Sequence, residues 1–294
     1  MTGALQTRSK VYQGRITNST IWDRFALRPD DTLVVTPPKC GTTWVQAIVL
    51  MLIHGRAGMD KVLDQISLWV DCGFRDVDER AATMTAQTHR RCIKSHTPLD
   101  GITYGPACTY FAVYRHPLDV HFSMRRFALA MNVDLMTDRF PEKISEGFRM
   151  YLEDASKDGG NDDMTLDSIT YHYRSFRRWA HLPNVHLVHY ADLKRDLKGQ
   201  VLRIADILCC DHPESLIDEI VEGARFDTMK ANAREAVQDQ KSVLDNAETF
   251  FASGTNNKWE KHLTPDEVAL YDRRIRELLP EEDVRWLEWG CVAA

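Results

Sequence analysis

Lys39 sits in the run TPPKCGTTW, straight after the β-branched stretch TLVVT at Thr32 to Thr36, and is followed by Gly41, Thr42 and Thr43. That order suits an anion. Glycine lets the backbone approach a ligand closely, a helix N-terminus offers unpaired N–H groups, two hydroxyls can donate, and the lysine adds a positive charge. The natural guest is phosphate or a group of similar shape. The pattern is not GxxxxGK[ST], because the lysine precedes the glycine, and this counts against ATP hydrolysis. A second pair is Lys94 and His96 in IKSHTP. Imidazole is the side chain whose ordinary pKa suits proton transfer near neutrality. A third is YRHPLDVHFS, where Arg115 supplies a fork for an anionic oxygen and Ser123, eight residues on, a neutral donor. Each has a plainer alternative: a turn closing a strand–helix unit, a core histidine, and a surface arginine with a solvent-facing serine.

These groups act together only if the fold gathers them. Short β-rich runs at Thr32 to Thr36, Arg91 to Lys94, Thr109 to Tyr114 and Val185 to Tyr190 alternate with helical patterns. The alternation predicts a single α/β domain, a central parallel sheet flanked by helices. Such sheets place ligands at the carboxyl ends of their strands, which is where Lys39, Lys94 with His96, and Arg115 all fall. One helix is expected from Gly41 to the stop at Gly55, another from Pro117 with Asp119 in its first turn, and a C-terminal one capped by Thr264. Residues 132–165 are acidic and contain Gly159-Gly160, which predicts a lid or a solvated loop. Residues 234–258 read as an irregular segment lying over the site.

Composition narrows the partners. The 294 residues carry 37 Lys+Arg against 43 Asp+Glu, a formal charge of -6, so general binding to a nucleic-acid backbone is not expected and any anion needs a local cluster. The opening MTGALQTRSK has no apolar core of a leader, and the apolar stretch Val45 to Ile53 falls far short of the roughly 20 residues that span a bilayer. A cytoplasmic protein without membrane or nucleic-acid partners is therefore expected. Seven cysteines without metal spacing read as reduced thiols, and no metal site is expected.

In their order along the chain these segments resemble the cytosolic-type sulfotransferases, which use 3′-phosphoadenosine 5′-phosphosulfate (PAPS) and release 3′,5′-adenosine bisphosphate (PAP). PPKCGTTW resembles the family's phosphosulfate loop PKSGTTW, KSHTP its KTHLP with the catalytic histidine, and YRHPLDVHFS its 3′-phosphate segment. NVHLVHYADLKRD, GARFDTMKANA, FFASGTNNKWEKHLT and ISLWVD resemble further family segments, so the likeness runs roughly from Asp30 to Thr264. The resemblance implies a P-loop-like phosphosulfate loop of Lys39, Cys40, Gly41, Thr42 and Thr43. It implies adenine held between Trp44 and Phe226, a 3′-phosphate on Arg115 and Ser123, and Tyr190, Ala252, Ser253 and Gly254 along the nucleotide. His96 would be the general base, with Lys39 and Lys94 stabilising the departing oxygen in an in-line transfer to a hydroxyl, or secondarily an amine, of a small acceptor. Trp69, Phe74, Phe127 and His172 would line the acceptor pocket. The chain departs from the family where Ala252-Ser253-Gly254 replaces Arg-Lys-Gly and Cys40 replaces serine, and Lys258 and Arg225 are the cations that could compensate. Glu260, Pro265 and Ala269 do not match the family's dimerisation motif, so that dimer is not implied. The alternatives are a P-loop kinase or NTPase, and a silent nucleotide- or ligand-binding member of the fold.

Overall fold

The apolar run Thr32–Val35 is buried at every residue, as a strand covered on both faces must be. The computed structural model describes residues 8–58, 67–131, 137–155, 161–231 and 254–291. Expectations that fall on 132–136, 156–160 and 232–253, Ala252 and Ser253 among them, lie outside the described residues. Four strands, β1 (Thr32–Val35), β2 (Cys92–Ser95), β3 (Thr109–Tyr114) and β4 (Val185–His189), form a wholly parallel sheet in the order β2-β1-β3-β4. The helices are α1 (Thr42–His54), α2 (Val77–Ala86), α3 (Pro117–Leu129), α4 (Ile144–Glu153), α5 (Leu166–Arg177), α6 (Tyr190–Arg195), α7 (Leu197–Ile207), α8 (Glu214–Gly223), α9 (Phe226–Ala231), α10 (Pro265–Leu278) and α11 (Glu281–Trp289).

Alternation along the strands divides the core between two faces. Leu33, Val35, Ile93, Tyr110, Ala112 and Tyr114 pack with α5, α10 and α11, while Val34, Cys92, Phe111, Val113 and Val188 pack with α1, α7 and α8. From β1 the chain returns to β2 on one side and reaches β3 on the other. The carboxyl ends of β1 and β3 therefore flank the crevice at which such sheets bind ligands.

Local chemistry sets the boundaries near that crevice. α1 begins at Thr42, one residue later than the sequence predicts, because Gly41 is its N-cap in a left-handed conformation (φ 107°), and it stops at Gly55 (φ 61°). Pro117 opens α3 with Asp119 in the first turn, and Thr264 and Glu267 close a capping box on α10. Arg91 lies one residue before the strand predicted to start there, and its side chain is engaged at the foot of the sheet. It is ion-paired with Asp31 and donates from Nη1 to the Met84 carbonyl (2.9 Å) and from Nη2 to the Ala26 carbonyl (3.0 Å).

Among the described residues of 132–165, part is helix rather than loop. α4 lies within them and buries Phe148, Tyr151 and Leu152, which share one helical face by their spacing. The acidic residues are partly structural: the Asp162 carboxylate accepts from the Ile16 N–H (2.9 Å), the Thr17 N–H (3.1 Å) and the Thr17 hydroxyl (2.8 Å), and Asp154 and Asp163 meet Arg139. Among the described residues no helix is long and apolar enough to cross a membrane.

The buried Arg91–Asp31 pair, 1% and 0% exposed, yields a stability prediction. Asp31→Ala strands a buried guanidinium and should cost about 3–5 kcal/mol in urea denaturation. A loss under about 1 kcal/mol would show that Arg91 finds water without its partner.

Candidate active site

The loop after β1 is held in a conformation that few residues accept. Lys39 has φ 68°, a left-handed value outside glycine, and strain of this kind persists only where the surroundings fix it. Gly41 is required twice over: its φ is +107°, and a Cβ there would stand 2.9 Å from the Tyr190 ring. The turn aims Lys39, Thr42 and Thr43 into a cavity of about 440 Å³ at the carboxyl edge of the sheet. Thr42 Oγ1 lies 2.5 Å from Thr36 Oγ1, tying the helix start back to the end of β1.

His96 reaches the same cavity from the end of β2, buried at 6% exposure. Its Nδ1 lies 2.7 Å from the Thr36 carbonyl, which can only accept. Nδ1 therefore carries the proton and Nε2 the lone pair, the tautomer a base needs. Burial, then the neighbouring Lys94 charge, hold its pKa well below the ordinary value, so the ring is neutral.

One buried carboxylate organises this edge. Asp71, 0% exposed, accepts from the Trp69 indole N–H (2.7 Å), the Ser95 hydroxyl (2.5 Å), the Thr97 N–H (3.2 Å), the Thr97 hydroxyl and, more weakly, the His96 N–H (3.4 Å). It thereby fixes both the chain around His96 and the Trp69 ring. That ring meets the His96 ring edge-on at 4.9 Å and lies 4.5 Å from Lys94 Nζ. Sequence reasoning passed over Asp71, since one acidic residue after an apolar run carries no signal of its own.

Cations crowd the cavity. Lys39 Nζ lies 4.1 Å over the Phe127 ring, and its pKa is pushed down to about 7 by burial, then by Lys94, Arg115, Arg126 and Lys258. Lys258 is pushed down to about 8 by burial and then by Arg115 and Arg126. Arg115, 6% exposed, stacks 4.4 Å over the Tyr190 ring, and its Nε is buried without a hydrogen-bond partner among the described residues. Desolvated positive charges with an unmet guanidinium donor fit a polyanion.

The expected residues are gathered unevenly. Lys39, Gly41, Thr42, Thr43, Trp44, Lys94, His96, Arg115, Ser123, Tyr190, Phe226 and Gly254 all line the cavity, as do Trp69, Phe74 and Phe127. A Cβ on Gly254 (φ +61°) would press on the Phe226 ring at 2.7 Å, so a glycine is needed for the backbone to lie on that ring. The Cys40 side chain is a correction. It packs in the core at 0% exposure, with its thiol pushed up to about 12 by burial, so at most its backbone faces a ligand. His172 is also not on the cavity wall. It is wholly buried, with Nδ1 2.9 Å from the Tyr114 hydroxyl, though close enough to bear on the charge of His96. Ile16, Met124, Met131 and Met164 complete an apolar side that the sequence did not mark.

Comparison with known proteins places this architecture. The family described as "Sulfotransferase domain" matches residues 29–282. A glycolipid sulfotransferase of Mycobacterium tuberculosis is 31% identical over 307 residues, covering 95% of this chain and 94% of that protein. An amine sulfotransferase of Oryctolagus cuniculus is 26% identical over 275 residues, covering 90% of this chain and 86% of that protein. The crystal structure of mouse sulfotransferase SULT7A1 complexed with PAP superposes with a TM-score of 0.74 at 21% identity, covering 96% of each chain.

The depressed Lys39 pKa has a signed consequence for stability. The folded chain binds fewer protons than the unfolded one between about pH 7 and 10.5, so the lysine destabilises the empty protein fully below that window and ceases to above it. Lys39→Met keeps the same backbone strain and removes the buried charge. Its melting temperature at pH 7 should exceed that of the parent by about 2–4 °C, the shift for ~1 kcal/mol in a chain of roughly this size. The gap should close toward pH 10, and a variant that melts lower at pH 7 would show that the Phe127 contact outweighs desolvation.

Proposed function

The chain belongs to the sulfotransferase family, and from that premise we propose that it moves a sulfuryl group from PAPS to a hydroxyl of a small, largely apolar acceptor, with His96 as general base. The observation that carries this is the set of buried cations around one cavity, with Arg115 Nε unmet. A nucleotide with phosphate and sulfate at one end and a second phosphate at the other supplies charge for both groups of cations. PAPS itself supplies an activated sulfuryl group on a leaving phosphate.

In this reading Trp44 and Phe226, both half-buried on the cavity wall, take the base between them. Thr42, Thr43 and the backbone around Gly41 hold the phosphosulfate end, and Arg115 with Ser123 the other. His96 Nε2 accepts the acceptor's hydroxyl proton as the acceptor oxygen bonds to sulfur and the bond from sulfur to the leaving phosphate oxygen breaks. Lys39 meets the charge that gathers on that leaving oxygen, and Lys94 supports it. His96 becomes a stronger base once the charges of Lys94 and Lys39 are compensated, because their repulsion is part of what holds its pKa down.

The acceptor's character follows from the walls. Trp69, Phe74, Phe127, Met124, Met131 and Met164 present aromatic rings and adaptable thioethers, suited to an apolar body of loosely defined shape. Lys39 and Lys94 at the reacting end repel an ammonium group, which favours a hydroxyl over an amine.

The test is transfer from PAPS to apolar alcohols and their amine counterparts, by the parent and by His96→Asn. The alcohols should react faster, and the variant should lose about 10²- to 10⁴-fold in turnover while binding PAP within about twofold of the parent. A variant that retains turnover removes His96 from the chemistry, and one that loses PAP binding makes it structural.

A further inference from the structure

The cavity's cations fall into two groups. Lys39 and Lys94 stand with His96 at the ends of β1 and β2. Arg115 and Ser123 stand where β3 meets α3, and there the structure adds a residue whose neighbours explain its place. Lys258 opens a 3₁₀ turn, Lys258–Lys261, after Asn257 in a left-handed conformation (φ 59°), and lines the cavity. The strand of chain leading to it is fastened to the Arg115 end. Asp119 Oδ2 accepts from the Asn257 N–H (3.1 Å), Asp119 Oδ1 accepts from the Lys258 N–H (3.2 Å), and Arg115 Nη2 donates to the Thr255 carbonyl (2.9 Å). The same Asp119 carboxylate lies 3.6 Å from Arg115 Nη2, at 1% exposure.

One carboxylate therefore serves two nearby cations, Arg115 and Lys258. It uses its oxygens on backbone donors and one edge of the guanidinium, and Arg115 Nε is left buried without a partner. An added anion at that spot completes the charge balance. Arg225, the other candidate cation, is excluded by its position: it is ion-paired with Glu222 at 2.6 Å on the surface and does not line the cavity. Positions 252 and 253 hold alanine and serine, so the chain just before Gly254 adds no cation of its own.

We propose that Lys258, together with Arg115 and Ser123, forms the subsite for the 3′-phosphate of the donor nucleotide and so makes this protein select a 3′,5′-bisphosphate over a 5′-monophosphate. The inference rests on the donor reading given above and adds the residue that the departure at 252–253 leaves unassigned. Asp119 is the positioning residue of the subsite, holding Lys258 by its backbone and Arg115 by its side chain.

The experiment is calorimetric titration of the full chain with PAP and with 5′-AMP at fixed salt, for the parent, Lys258→Met and Lys258→Arg. The parent should prefer PAP. Lys258→Met should lose roughly tenfold to a hundredfold in PAP affinity, the range for a hydrogen bond to a charged group, with 5′-AMP affinity kept within about twofold. The retained 5′-AMP binding also shows that the variant is folded. Lys258→Arg should recover most of the preference. Equal weakening toward both nucleotides would reduce Lys258 to a general electrostatic effect, and unchanged PAP affinity would remove it from the subsite. Either result overturns this inference alone, whereas a parent without preference for PAP overturns the donor reading as well.

Discussion

Like charges do not share a partly desolvated cavity without something to balance them, and this constraint shapes the site. Lys39, Lys94, Arg115 and Lys258 all face one cavity, and the lysines at 39 and 258 are held to about 7 and about 8 by burial and then by neighbouring cations, Arg115 and Arg126 among them. The empty protein carries that repulsion as a cost to its stability. An arriving polyanion converts it into affinity, and the same event relieves the pressure that keeps His96 a weak base. In the proposed reaction, binding and proton abstraction are thereby linked through a single electrostatic imbalance.

The fold creates the imbalance by geometry. A parallel sheet in the order β2-β1-β3-β4 brings the ends of β1, β2 and β3 side by side, so residues 39, 94, 96 and 115 converge although they are far apart in sequence. Backbone devices then aim them. The left-handed Lys39 and Gly41 turn the loop inward, the Asp71 carboxylate pins the chain around His96 and the Trp69 ring, and Asp119 ties the Thr255–Lys258 segment to Arg115. Two of these devices are buried carboxylates that do not line the cavity but hold residues that do.

Much of this was legible in the residues because it depends on local patterns. Buried parallel strands read as apolar runs, Gly55, Pro117 and Thr264 mark helix ends by their backbone chemistry, and PPKCGTTW states a strand, a turn and an anion site in a few letters. What escaped depends on contacts distant in sequence. Arg91 fits the β pattern but pairs with Asp31 outside the strand, and α4 was hidden because its acidic face outweighed Phe148, Tyr151 and Leu152 in a reading of charge. Cys40 stands inside the anion-loop motif yet turns its thiol into the core, a direction the motif's letters do not state. Asp71 and Asp119 fall inside segments read for other residues, and the methionines at 124, 131 and 164 in no motif. Their roles exist only once the chain has folded around them.

The central claim, that Lys39 and Lys258 are held partly deprotonated until an anion arrives, is tested most directly by the protons that move on binding. Titrating the protein with PAP at pH 8 in Hepes and in Tris, buffers of different ionisation enthalpy, separates the heat of proton exchange from that of binding. With Lys39 near 7 and Lys258 near 8 in the empty protein, binding should take up on the order of one proton. Binding with no net uptake, or with release, would mean that both lysines are already charged and that the site is not primed in this way.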